Sequence, residues 1–192
     1  VRVAKSKYYA IAVNMKGGAV VFNESELNSA ISDNAPYILL GCDIPLSNYL
    51  QVNGSKNIIL DLCGNTLSRN LADLVAYGNV IKVFSGNTLT VRDSSGDNSG
   101  QIKGGRATDG GGIYNKDETI LKDCEITGNK AGDNGAGLYT FIPMNITGGE
   151  FSSNRAGKDG GGICIKQRDG FLAETTRVSL TGAEFSGNRA GG

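Results

Sequence analysis

The 192-residue chain has no histidine, no tryptophan, four cysteines and no net charge, with 19 basic and 19 acidic side chains. Each shortage removes a class of function. Zero net charge leaves no electrostatic case for nucleic acid or an anionic membrane as partner. No apolar run reaches the length of a membrane span, so no membrane insertion is expected in this segment. The cysteines have no CxxC spacing and no histidine to complete a zinc set, so they read as small buried apolar side chains. Tryptophan, the strongest side chain for stacking, is missing, which leaves that work to tyrosine. Long helical patterns are missing too. The apolar runs are short and alternate, whereas a helical repeat needs two runs of about ten or more with a 3.6-residue period.

What the chain does have is glycine and repetition. Gly110-Gly111-Gly112-Ile113-Tyr114 becomes Gly135-Ala136-Gly137-Leu138-Tyr139, then Gly160-Gly161-Gly162-Ile163-Cys164, in two equal steps. Ile126-Thr127-Gly128-Asn129 returns as Phe151-Ser152-Ser153-Asn154 after the same step, and as Phe185-Ser186-Gly187-Asn188 after a longer one. A fixed period of about 25 residues means stacked structural units. Met144-Asn145-Ile146, Leu89-Thr90-Val91, Ile81-Lys82-Val83 and Val178-Ser179-Leu180 read in-out-in, and Gly, Asn and Asp clusters separate such runs. A unit of this length, with three short strands and three turns, is one coil of a parallel β-helix. Each coil pairs with the next at about 4.8 Å.

The repeats predict which residues touch. Leu121, Ile146 and Leu180 form one internal stack; Ile126, Phe151 and Phe185 a second; Ile113, Leu138 and Ile163 a third. Asn129, Asn154 and Asn188 form an amide ladder at a turn, and Ala131, Ala156 and Ala190 pack where little room is left. The glycine triplets supply positive φ or close backbone approach at a corner. The excess length of the last interval marks a loop over residues 167–177. Earlier coils are less regular. Ile58-Ile59-Leu60-Asp61-Leu62 answers Ile38-Leu39-Leu40-Gly41-Cys42 position for position at a shorter step, and Val91-Arg92-Asp93 precedes Leu121-Lys122-Asp123 by a longer one.

Residues 1–37 read as an N-terminal segment with a capping helix, and 38–192 as the β-helix, one elongated domain in all. Asn23 caps a helix with Glu26 three residues on, and Leu27, Ala30 and Ile31 fall on one face. That face would cover the open sheet edge of the first coil. No comparable plug follows Asn188-Arg189-Ala190, so further repeats are expected beyond residue 192. The chain opens at Val1 without a start methionine, and a removed signal peptide is expected before it. Cys42 and Cys63 lie close to one coil apart, near enough for a bridge to be possible.

The pairing of F-x-x-N (Phe151 to Asn154, Phe185 to Asn188, degenerate at Ile126 to Asn129) with G-G-G-I (Gly110 to Ile113, Gly160 to Ile163) resembles the repeats of polymorphic outer-membrane proteins. Leu60-Asp61-Leu62-Cys63-Gly64-Asn65-Thr66-Leu67 resembles a coil of large bacterial surface proteins with a pectin-lyase-like β-helix. The resemblance runs from about Val20 to the end of the chain. It implies a right-handed parallel β-helix and a secreted or cell-surface, adhesin-like protein; the right-handed rule for parallel crossovers agrees.

The same fold resembles polysaccharide lyases and glycoside hydrolases, which use clustered carboxylates, or carboxylates holding Ca²⁺ beside a basic side chain. The best such cluster is Arg92-Asp93 stacked on Lys122-Asp123, joined by Asp61. A solvated charged face needs the same residues, and the polygalacturonase-like pattern needs a histidine this chain lacks. Asp109, Asn134 and Asp159 recur at the regular step and could hold Ca²⁺ between coils, or equally cap the glycine corner as Asx turns. Lys130, Arg155 and Arg189 make a basic column open to an anionic glycan. Tyr114 and Tyr139, one coil apart, could form a sugar platform, and Phe171 in the 167–177 loop is another candidate contact. With the resemblance, which implies the cell surface, these features are read as an extracellular display or adhesion protein that binds glycan or a host surface protein, without catalysis or cofactor. The alternative is a carbohydrate-active enzyme with its site on the outer strand face.

Overall fold

The computed structural model describes residues 17–166 and 177–191. Twenty-two short strands and one helix occupy them. All strand pairs are parallel, and they build four sheets of seven, six, five and four strands. Successive neighbours in each sheet lie one coil apart in sequence. The molecule is therefore a parallel β-helix.

The first coils hold three strands, as expected, such as Tyr37–Leu40, Ile44–Pro45 and Leu50–Val52, but the later coils hold more. From Ile113 to Ala131 the chain passes through four strands: Ile113–Asn115, Glu118–Lys122, Glu125–Thr127 and Lys130–Ala131. The fourth comes from dipeptides that looked like turn packing: Arg106–Ala107, Lys130–Ala131, Arg155–Ala156 and Arg189–Ala190 pair in one sheet. A two-residue strand leaves no readable alternation, which is why three strands were expected.

The predicted stacks form. Leu121 pairs with Ile146 and Ile146 with Leu180; Ile126 with Phe151 and Phe151 with Phe185; Ile113 with Leu138 and Leu138 with Ile163. Phe151 and Phe185 lie face to face, with centroids 5.2 Å apart and planes at 10°. Leu121, Ile146, Ile126, Phe151, Ile113 and Leu138 join Ile58, Leu60, Leu89 and Val91 in one continuous lumen core, with Ile163 packed against it, whereas Leu180 and Phe185 are exposed. Full burial of each such side chain stabilises the fold by about 1.5–3 kcal/mol.

One register differs from expectation. Ile38 pairs with Leu60, two positions beyond the expected Ile58. A slip of two keeps every side chain on its face, so periodicity alone did not distinguish the two registers. Carried on, the true step sets Cys63 against Gly41 rather than Cys42. Cys63 packs with Tyr37 and Leu39, the Cys42 thiol donates to the Phe22 carbonyl at 3.1 Å, and all four cysteines are free.

The corner between the six- and four-stranded sheets has a simple rule. The third position of each F-x-x-N phrase is left-handed: Gly128 at φ 61°, Ser153 at 55° and Gly187 at 60°. The asparagine that follows completes the turn, and Asn129 and Asn154 are fully buried there. Asn129 donates its side-chain amide to the Asn154 carbonyl oxygen at 3.1 Å, and Asn154 does the same to Asn188 at 3.0 Å. Each ladder carbonyl also accepts the backbone N–H of the asparagine one coil below it, at 3.0 and 3.1 Å.

At the N-terminal end, Ala19–Val21 pairs with Tyr37–Leu40 as the first strand of the seven-stranded sheet. The helix Glu24–Ser32 follows, capped as predicted: the Glu26 N–H donates to the Asn23 side chain at 2.9 Å, and the Glu26 carboxylate accepts from the Phe22 N–H at 2.8 Å. Leu27, Ala30 and Ile31 are buried in the lumen cluster. Glu24 ties the helix down by accepting from the N–H groups of Ser47 and Asn48, at 3.0 and 3.1 Å.

Candidate functional site

The strands of the five-stranded sheet run, in spatial order, Ile163–Ile165, Leu138–Thr140, Ile113–Asn115, Ile81–Val83 and Leu50–Val52. Alternation sends Ile81, Val83, Ile113 and Leu138 into the lumen. Lys82, Tyr114, Tyr139 and Cys164 therefore line up on the outer face, Lys82 opposite Tyr114 and Tyr114 opposite Tyr139. Tyr114 and Tyr139 stack as expected, with centroids 5.4 Å apart and planes at 33°.

The surroundings of this pair were not legible from the repeat. The Lys82 ammonium lies 4.9 Å from the Tyr77 ring centroid, 5.2 Å from Tyr114, 5.3 Å from Phe84 and 5.6 Å from Tyr49. Four rings thus face one cation, an arrangement worth about 0.5–2 kcal/mol per well-placed pair. The Lys116 ammonium approaches the Tyr114 ring as well, at 5.5 Å. Phe141 stands edge-on to Tyr139 at 5.0 Å, leaving Tyr139 only 4% exposed. Tyr139 therefore supports the platform from below, while Tyr77, 61% exposed, offers its ring to solvent. Beside Lys116, a cavity of about 180 Å³ opens between Ser85, Phe141 and Ile142.

Rigid parts hold these side chains. Tyr77 sits in the connection over residues 69–80, whose carbonyls at Tyr77 and Asn79 each accept from the buried Arg69 guanidinium at 3.1 Å. The Val75 N–H donates to the Arg106 carbonyl at 2.9 Å and the Arg106 N–H to the Gly78 carbonyl at 2.8 Å, so the connection runs beside the start of the four-stranded sheet. Gly78 permits this: a Cβ there would stand 1.9 Å from the Arg106 carbonyl oxygen. Asp117 accepts from the Gly86 and Asn87 N–H groups and fixes the turn after Phe84. Beneath Tyr114, Asn115 donates to the Thr140 hydroxyl at 3.1 Å and accepts from the Thr119 hydroxyl at 2.8 Å.

Burial sets the proton affinities here. It pushes the Lys82 ammonium down, helped by repulsion from Lys116. It pushes the Tyr114 phenol up, and the Tyr139 phenol up to about 12, in both cases with Asp109 adding to the effect. The Tyr114 and Tyr139 rings are therefore uncharged at neutral pH, and both lysine heads lie against Tyr114 without an ion pair among the described residues.

The charged row lies on another face. The register brings Asp61, Arg92 and Lys122 side by side on the seven-stranded sheet. Asp61 points away from the lumen but is fully buried: Tyr37 donates its hydroxyl to it, Arg92 forms an ion pair at 3.2 Å, and the N–H groups of Cys63 and Ser94 donate at 3.0 and 3.1 Å. Asp93 leaves the row and organises the following loop, accepting from Gly64 and Gly100 N–H groups, each at 2.7 Å, and from the Ser95 hydroxyl at 2.7 Å. Asp123 is half-buried at a left-handed corner, φ 56°. Asp61 and Asp93 thus hold structural hydrogen bonds with the oxygens that acid–base work would require.

Asp109, Asn134 and Asp159 form a second Asx ladder. Asp109 accepts from the Asn134 N–H at 3.0 Å and side-chain amide at 2.9 Å, and Asn134 accepts from the Asp159 N–H at 3.3 Å. Arg155 sits in an outer column that the register extends to Arg106, Lys130, Arg155 and Arg189. Phe171 and residues 167–176 lie outside the described residues.

The sequence signal for the wider platform was faint. Ile81-Lys82-Val83 carries the same in-out-in pattern as Ile113-Tyr114-Asn115, but precedes it by more than the regular step. Tyr49, Tyr77 and Phe84 lie outside the strands, where periodicity says nothing.

No curated protein and no solved structure matches the chain. A family model of the Chlamydia polymorphic membrane protein repeat matches residues 148–166, a stretch that contains both Phe151-Ser152-Ser153-Asn154 and Gly160-Gly161-Gly162-Ile163. The matched stretch contributes Asn154 to the buried asparagine ladder and Gly160-Gly161-Gly162 to the glycine corner, so this chain carries a repeat of the polymorphic membrane protein type on a parallel β-helix.

Proposed function

We propose that this protein is an extracellular, adhesin-like display protein, and that it binds glycan through the aromatic face of its five-stranded sheet. The observation that carries this reading is the group of rings on one outer face, Tyr49, Tyr77, Phe84 and Tyr114, in a chain whose other apolar residues mostly fill the lumen. An aromatic ring offers a sugar its π-face, and rings fixed by a sheet and by a guanidinium-locked loop lose little entropy on binding. The polymorphic membrane protein type of repeat supports surface display. No observation on the acidic face favours the carbohydrate-active-enzyme alternative, because Asp61 and Asp93 are engaged in structural hydrogen bonds. Ca²⁺ has no part in this reading.

The test is saturable binding of the purified protein to an array of oligosaccharides and matrix proteins. Binding to a glycan class is expected. Tyr77→Ala and Tyr114→Ala should each weaken it by about tenfold, roughly 1.4 kcal/mol. Binding that is indifferent to both substitutions would remove the aromatic face from the site.

A further inference from the structure

The aromatic platform carries two cations that no carboxylate among the described residues answers. Lys82 and Lys116 both lie against the Tyr114 ring, at 5.2 and 5.5 Å, and neither is in an ion pair there. The nearby carboxylates are committed elsewhere: Asp117 to the Gly86 and Asn87 N–H groups, Asp109 to Asn134. Rings around Lys82 exclude water from an ammonium while supplying no hydrogen-bond acceptor stronger than a π-face. Repulsion between the two heads lowers the proton affinity of Lys82 further. Holding like charges together in this way opposes stability unless something negative arrives, and an arriving anion would meet a partly desolvated cation where attraction is strong. The cavity at Ser85, Lys116, Phe141 and Ile142 gives such a group room beside the rings.

We propose that the ligand of this face is an acidic glycan, with a sugar ring on Tyr77 and Tyr114 and its carboxylate or sulfate against Lys82 and Lys116. This rests on the glycan-binding reading above and adds the substrate class to it. Carboxylate and sulfate share the required chemistry, and the experiment separates them. Affinities of the protein for an oligogalacturonate, a sulfated galactan and a neutral galactan of matched length are measured at low and high salt. At least one acidic sugar should bind about tenfold more tightly than the neutral one at low salt, with the advantage shrinking as salt rises. Lys116→Gln and Lys82→Gln should each reduce that advantage, read as the ratio of acidic to neutral affinity for the same variant. Lys116 is exposed, so its variant reports on the charge even if Lys82→Gln disturbs the rings. Equal affinity for neutral and acidic sugars would overturn the acidic preference and leave the glycan reading standing. An acidic preference that survives both lysine variants but is lost in Arg155→Gln would also overturn it, moving the anion to the basic column. Failure to bind any of these sugars, or any other glycan, would overturn both readings.

Discussion

At the scale of single residues, stability is concentrated in buried polar groups with complete hydrogen bonding. Asn154 is fully buried, donates to the Ile126 carbonyl at 2.7 Å and to Asn188 at 3.0 Å, and accepts from Asn129. Asn154→Ala would strand a backbone N–H and a carbonyl in the interior, so a loss of about 2–3 kcal/mol is expected in denaturant unfolding; a loss within a few tenths would show that the ladder is ornamental. Tyrosines report the same burial in alkali. Burial lifts the Tyr139 phenol to about 12, and burial with the Asp61 hydrogen bond lifts Tyr37 as well. A phenol held neutral in the fold contributes stability that is complete below the unfolded value near 10 and is lost as pH rises through about 12. Ultraviolet titration should therefore show, among the seven tyrosines, a late phase that coincides with unfolding and shrinks in Tyr139→Phe. One phase near pH 10 for all of them would contradict this.

At the scale of the coil, two corner positions make opposite demands. Ser153 is held at φ 55° where its neighbours in the stack are Gly128 and Gly187, and its side chain is exposed. A left-handed non-glycine residue costs about 1–2 kcal/mol, so Ser153→Gly should raise stability by about 1 kcal/mol. Gly137 has no such φ but no space: a Cβ would meet the Gly162 carbonyl oxygen at 2.4 Å and the Phe151 ring at 3.0 Å. Gly137→Ala should cost about 2–3 kcal/mol, because neither neighbour can move without shifting a coil. Thermal melts of the two variants against the parent would decide both; equal shifts would mean that the corner tolerates either geometry. Coils of this kind were largely legible in the sequence. Wherever the repeat kept its regular step, face and register were both fixed by alternation and by the Asn and Gly positions. The step from Ile38 was misjudged because a two-residue slip leaves alternation untouched. The fourth strand was missed because a dipeptide such as Arg155–Ala156 has no period to read.

At the scale of the whole molecule, the constant lumen and the variable connections divide the work. The lumen needs only aliphatic residues in register, and the repeat announces them. Tyr114 and Tyr139 were visible as site candidates because they sit in the repeat, whereas Lys82, Tyr49, Tyr77 and Phe84 come from coils of irregular length and meet only in three dimensions. Arg106 joined the basic column for the same reason, from a coil slightly shorter than the later ones. The stacking has a mechanical side. Each coil rests only on its two neighbours and is joined to them by a single covalent strand, so pulling on the far end works against one layer of hydrogen bonds at a time. A released coil of about 25 residues lengthens the chain by about 80–90 Å. Under shear such a body yields as a series of short extensions, each absorbing a jolt while the coils behind it, and the aromatic face they carry, stay folded.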